Sequence, residues 1–184
     1  MSRIIIPLPC HFKKSDELCA TTVARMRAAL TVIRDGDVIL LTGDVPCVPG
    51  GPTLGLLMRD WFVEHGFAEH TLHTLKEVYG TFSEARTACR LAKDIGVEEL
   101  VVISSPWYFF AGIPIWKKRA KENGITVSFI SVPHTGGLRT WFLYGVIGII
   151  IRTATVMGME KRCENFFTNI QKKRALGFTF NGCA

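Results

Sequence analysis

Asp37-Val38-Ile39-Leu40-Leu41-Thr42-Gly43-Asp44 is an unbroken apolar run of strand length that stops at a glycine and an acid. A strand with one face in water alternates apolar and polar residues, so a run without alternation predicts a strand covered on both faces. Arg3-Ile4-Ile5-Ile6-Pro7-Leu8, Leu100-Val101-Val102-Ile103 and the stretch from Ile125 to Pro133 have the same character, and Thr71 to Glu77 alternates like a fifth strand. Helical periodicity fills the intervals. Over 17–34 an apolar stripe of Leu18, Thr22, Arg25/Met26, Ala29/Leu30 and Ile33 repeats at three- and four-residue steps and closes at Asp35-Gly36. Helices are also predicted over 53–65, over 81–95 ending at Gly96, and in a basic stretch that follows a loop through Pro106 and Gly112 and ends at Asn123-Gly124.

Strand and helix therefore alternate, which predicts an α/β domain with a doubly wound, mainly parallel sheet in three Rossmann-like layers over residues 1–138. Residues 139–184 read as a helical closure of the same domain. At roughly 100–200 residues per domain, 184 residues make one such unit. An apolar share of 48% and a charged share of 21% exclude disordered, collagenous and repeat-array chains.

The formal charge of +6 has an address. Residues 1–112 carry 11 basic and 13 acidic side chains, and residues 113–184 carry 11 basic and 3 acidic. The basic clusters Lys117-Lys118-Arg119, Lys161-Arg162 and Lys172-Lys173-Arg174 read as solvated helix faces, and no helix-turn-helix or aromatic-rich motif favours a nucleic acid. Six cysteines show no Cys-x-x-Cys pair and no Cys/His spacing suited to zinc, so no metal site is expected and reduced thiols are. Ile4-Ile5-Ile6 before Pro7 is too short for a secretory signal, and the apolar run from Trp141 to Ile151 is about half of what a spanning helix needs. The expectation is a cytoplasmic protein with a buried or interface helix at 139–157.

In a doubly wound sheet, ligands bind beyond the carboxyl ends of the strands. The exits here are Cys10-His11, Thr42-Gly43-Asp44, Glu77 to Thr81, Ser104-Ser105 and Pro133-His134-Thr135-Gly136-Gly137. Their hydroxyls, glycines and few titratable groups suit a polar or anionic small molecule. No Gly-x-Gly-x-x-Gly, phosphate loop or Gly-x-Ser-x-Gly elbow is present. Glu77 and Asp44 are the candidate acid/base residues, and Gly43, Thr81, Ser104, Ser105, Tyr108, His134 and His11 the candidate ligand contacts. Thr81-Phe82-Ser83-Glu84 also has the form of a capping box, and Ser105-Pro106 that of an N-cap followed by an N1 proline.

Taken in order, these exits resemble the YdcF-like family, which includes SanA- and ElyC-type envelope proteins. Arg25-Met26-Arg27-Ala28-Ala29-Leu30 stands for the family's Arg-led helix, Thr42-Gly43-Asp44 for its Ser-Gly-Gly, Glu77 to Thr81 for its Glu and Asn-Thr, and Ser104-Ser105 for its Thr-Ser. The resemblance spans about residues 3–133. Asp44 replaces the second glycine and Gly80 the asparagine. Tyr108 and Ala111 stand where the family has His and Arg, beside extra residues around Phe109 to Pro114, with His134 and Lys117 the nearest substitutes. The resemblance implies a small-molecule pocket, an S-adenosylmethionine- or nucleotide-like ligand, and a link to the cell envelope. It leaves open whether the protein is an enzyme or a non-enzymatic module that dimerises through helix 139–157.

Overall fold

A computed structural model describes residues 2–10, 17–44, 46, 48, 50–76, 78, 80–133 and 138–175. The elements run β1 (Arg3–Pro7), α1 (Ala20–Val32), β2 (Val38–Leu41), α2 (Leu54–Glu64), a single 3-10 turn (Glu69–Thr71), β3 (Leu72–Thr74), α3 (Thr81–Asp94), β4 (Glu99–Ser104), α4 (Pro106–Asn123), β5 (Thr126–Ser131), α5 (Leu138–Val156) and α6 (Glu160–Ala175). All five strands are parallel, in the order β3-β2-β1-β4-β5. The fold is the α/β, Rossmann-like three-layer architecture that the unalternating apolar runs dictate.

The two faces can be read residue by residue. Ile5, Ile39, Leu41, Val101 and Ile103 meet Met26 and Ala29 of α1 and Met58 and Phe62 of α2. Ile4, Ile6, Leu8, Leu40, Leu100 and Val102 meet α3 and α4, and α5 and α6 extend that layer with Ile151, Ala154 and Cys163. Ile4, Ile5 and Ile6 are all at zero exposure, because consecutive strand residues point to opposite faces and both faces are covered. At roughly 1.5–3 kcal/mol for each buried aliphatic side chain, this central strand is a main source of cohesion.

Pro7 is the last residue of β1, and the strand includes it rather than stopping before it. It stays in register with Ile103. The next amide, Leu8 N–H, donates to the Ile103 carbonyl at 3.0 Å on the β4 side, so position 7 turns its nitrogen toward β2, where the ladder has already stopped at Ile5. The missing donor costs no ladder bond.

Two expectations are corrected. The strand read over Thr71 to Glu77 is only Leu72–Thr74, preceded by the 3-10 turn, and Glu77 lies outside the described residues. The helical closure expected after residue 138 is there over 138–175, as α5 and α6 separated at Gly158, whose φ of 69° is left-handed. The loop expected through Pro106 and Gly112 is helix: α4 starts at Pro106 and runs through Pro114, so the residues around Phe109 to Pro114 insert no loop. A proline inside a helix orphans the carbonyl four residues earlier, here that of Phe110. Arg152 Nε on α5 donates to that carbonyl at 3.1 Å, and the guanidinium lies 4.3 Å from the Phe110 ring centre.

Among the described residues no helix is long and apolar enough to cross a membrane. Gly148 and Ile151 of α5 are buried, whereas Phe142 is 75% and Ile149 59% exposed.

Candidate functional site

β1 leads to α1 on one face of the sheet and β4 leads to α4 on the other, so the chain parts between these two neighbours, the switch point at whose carboxyl ends doubly wound sheets take their ligands. Of the residues nominated from sequence, Gly43 and Asp44 follow β2, Thr81 opens α3, Ser104 ends β4, Ser105 precedes α4 and Tyr108 lies in its first turn. His11, Glu77 and His134 lie outside the described residues.

The centre of this edge is a residue the site reading did not nominate. Arg25, on α1, is 1% exposed. Its Nη1 donates to the carbonyls of Leu8 (2.7 Å) and Pro9 (3.2 Å), and its Nη2 donates to Ser105 Oγ at 2.9 Å. The guanidinium also lies 5.8 Å from the centre of the Trp107 ring. A buried cation is tolerated only where such acceptors replace water. Arg25 thus ties the end of β1 to the start of α4 and sets a buried positive charge between them. Ser105 is the N-cap residue before Pro106, as its sequence suggests, but its hydroxyl makes no cap bond and receives Arg25 instead.

Glu84 is the second residue missed. The capping box does not form: the N-cap of α3 is Gly80, Thr81 is the first helical residue, and no side chain caps the helix. Glu84 turns inward and is 5% exposed, with Thr42 Oγ1 donating to its Oε1 at 3.0 Å. Burial pushes the Glu84 carboxyl up to about 7, against the pull of the Thr42 hydrogen bond and the positive charge of Arg25. The signal was in the spacing, since Glu84 shares the inward stripe of α3 with Ala85, Ala88 and Ala92.

Tyr108 stands beside this carboxyl. Trp116 Nε1 donates to its Oη at 3.1 Å, and its hydroxyl is hydrogen-bonded to that of Thr81. Burial, and then the charge of Glu84, hold the phenol above its ordinary range. Ser104 Oγ, on the same face of the sheet as Thr42, is fully buried and has no hydrogen-bond partner among the described residues. Such an orphan costs roughly 1–3 kcal/mol unless something completes it.

Gly43 has a structural reason for being glycine. Its φ is 96°, and a Cβ there would stand 2.9 Å from Pro9 Cγ and 3.1 Å from Leu54 Cβ. Asp44 follows it, half-buried. A shallow cleft of about 500 Å3 at the α5–α6 turn is lined by Gly158, Met159, Lys161, Arg162 and Asn165, none of which belongs to the strand-exit cluster.

The arrangement therefore offers a fixed cation, a carboxyl able to hold or release a proton near neutrality, and hydroxyls from three elements at one sheet edge. No family model, curated protein or solved structure matches the chain.

Proposed function

We propose that the carboxyl edge of β1 and β4 binds a small anionic or nucleotide-like molecule, in a divergent relative of the YdcF-like proteins. The observation that carries this reading is the buried cluster of Arg25, Ser105, Glu84 and Thr42 beside the unpartnered Ser104 hydroxyl. Arg25 supplies positive potential to an anion, Ser104 and Thr81 supply hydroxyls, and Asp44, Glu77 and Glu84 supply carboxylates for sugar hydroxyls or for proton transfer. An S-adenosylmethionine- or nucleotide-like ligand meets those requirements.

Native mass spectrometry of freshly purified protein, followed by titration with S-adenosylmethionine and adenosine monophosphate, tests the proposal. A retained or added ligand should bind, and Ser104→Ala should weaken it by up to about tenfold, the equivalent of one hydrogen bond of roughly 0.5–1.5 kcal/mol. No bound ligand, or equal binding by Ser104→Ala and Glu77→Ala, overturns it. One observation favours a second reading, an interaction module: Phe142, Val146, Ile149 and Ile150 form an exposed apolar stripe on α5 suited to a second copy of the chain.

A further inference from the structure

Cys10 follows the β1 exit and Cys19 is the N-cap residue of α1. The fold brings the two together through one hydroxyl. Thr22 Oγ1 accepts the Cys10 N–H at 2.9 Å and lies 3.3 Å from Cys19 Sγ. Cys19 Sγ is in turn 3.7 Å from the Cys10 carbonyl oxygen, and the Cys10 thiol is hydrogen-bonded to it. Cys10 is 4% exposed and Cys19 half-buried, so one sulfur is open to a small reagent while its neighbour waits behind it. We infer that Cys10 and Cys19 are a redox pair, with Cys19 the sulfur that meets the oxidant and Cys10 the one that resolves it into a disulfide.

The Cys19 environment suits the first role. Hydrogen bonds from the Cys10 thiol and from Thr22, with the amides of Thr22 and Thr21 directed at the sulfur, outweigh burial and bring the thiol down to about 5, although no side-chain cap bond is closed. A low-lying thiolate reachable from solvent is the form that attacks peroxides. The other described cysteines are the reverse: burial pushes Cys89 up to about 11 and also raises Cys163.

With hydrogen peroxide as oxidant the chemistry balances. The Cys19 thiolate attacks one peroxide oxygen, the O–O bond breaks, and the leaving hydroxide takes a proton to become water, leaving Cys19 as a sulfenic acid. The Cys10 sulfur then attacks Cys19 Sγ and the S–O bond breaks, with the Cys10 proton and the departing hydroxide forming a second water. Two thiols are oxidised and one peroxide is reduced. Cys10 stands one residue past the Pro9 carbonyl held by Arg25, and the oxidation needs no ligand at that site.

The test uses the reduced full chain, treated with hydrogen peroxide, blocked with iodoacetamide after unfolding, and digested with trypsin. Cleavage places the two cysteines in separate peptides, Ile4 to Lys13 and Ser15 to Arg25. The expected product is these two peptides joined, two hydrogens lighter than their sum, released by dithiothreitol, and formed at least tenfold faster than oxidation of Cys89 or Cys163. In Cys10→Ser, Cys19 should accumulate as a dimedone-reactive sulfenic acid. Full alkylation of both cysteines after peroxide treatment, linkage to another cysteine instead, or a Cys10→Ser protein in which Cys19 reacts no faster than Cys89, overturns the inference.

Discussion

Glu84 concentrates the electrostatics of the molecule in one side chain. In the folded protein its carboxyl sits at about 7, against 4.5 for an ordinary glutamate. Between those values the folded state keeps the proton and the unfolded chain has lost it, so raising the pH favours unfolding; below 4.5 both states are protonated, above 7 both are ionised, and the slope vanishes. The wild type should therefore lose stability from pH 4.5 to 7 by at most about 1 kcal/mol per pH unit, and Glu84→Gln, which carries no charge, should remove that dependence. Thermal unfolding of both proteins across this range measures it, and parallel curves would exclude a raised Glu84. The same residue shows why the site was half legible. Thr81 to Glu84 fits a capping pattern that sequence alone cannot distinguish from an inward-facing glutamate, because the deciding partner, Thr42, comes from a neighbouring strand exit. Arg25 was visible within the periodic stripe of a helix, whereas its role depends on Leu8, Pro9 and Ser105 converging on one guanidinium.

Within elements, the strands were the most legible, because a strand buried on both faces declares itself by composition. Leu100 to Ile103 and Val38 to Leu41 needed no tertiary knowledge. Helix α4 needed it. Pro114 argues locally for a helix end, and what overrides it is Arg152, contributed 42 residues from the carbonyl it satisfies. This interaction can be isolated by a double-mutant cycle. Arg152→Ala removes a hydrogen bond to the Phe110 carbonyl and a cation over the Phe110 ring, each worth about 0.5–1 kcal/mol at an exposed site. In a Pro114→Ala background the helix regains its own N–H for that carbonyl, so Arg152→Ala should there cost about half as much. Urea unfolding of the four proteins reads the coupling, and strictly additive losses would show that Arg152 does not substitute for the missing amide.

At the scale of the whole molecule, the alternation of strand and helix predicted the layers, while the order β3-β2-β1-β4-β5 could not be read, since it turns on the side of β1 to which the chain returns after β3. That return creates the β1/β4 switch point and also sends α5 and α6 to one flank. There the basic excess gathers. All three acidic residues of 113–184 are engaged within the chain, Glu122 with Arg119, Glu160 with Lys118 and Arg119, and Glu164 with Arg86. Two copies meeting through the α5 stripe would therefore bring together two apolar surfaces, Phe142, Val146, Ile149 and Ile150, in a part of the chain, 113–184, that carries 11 basic and 3 acidic side chains. Apolar burial drives such a contact, and repulsion between the basic flanks opposes it until salt screens them, at a Debye length of about 10 Å in 0.1 M salt and about 3 Å in 1 M. Self-association should consequently strengthen as salt rises, the opposite of what a contact held by ion pairs would do. Sedimentation velocity over a range of concentration and ionic strength should show a monomer–dimer equilibrium that moves toward dimer with salt. Ile149→Asp, which places a charge in the middle of the stripe, should weaken it at least tenfold, since each 1.4 kcal/mol is a factor of ten. A protein that sediments as a monomer throughout, or a dimer indifferent to Ile149→Asp, rules out the α5 face as the contact.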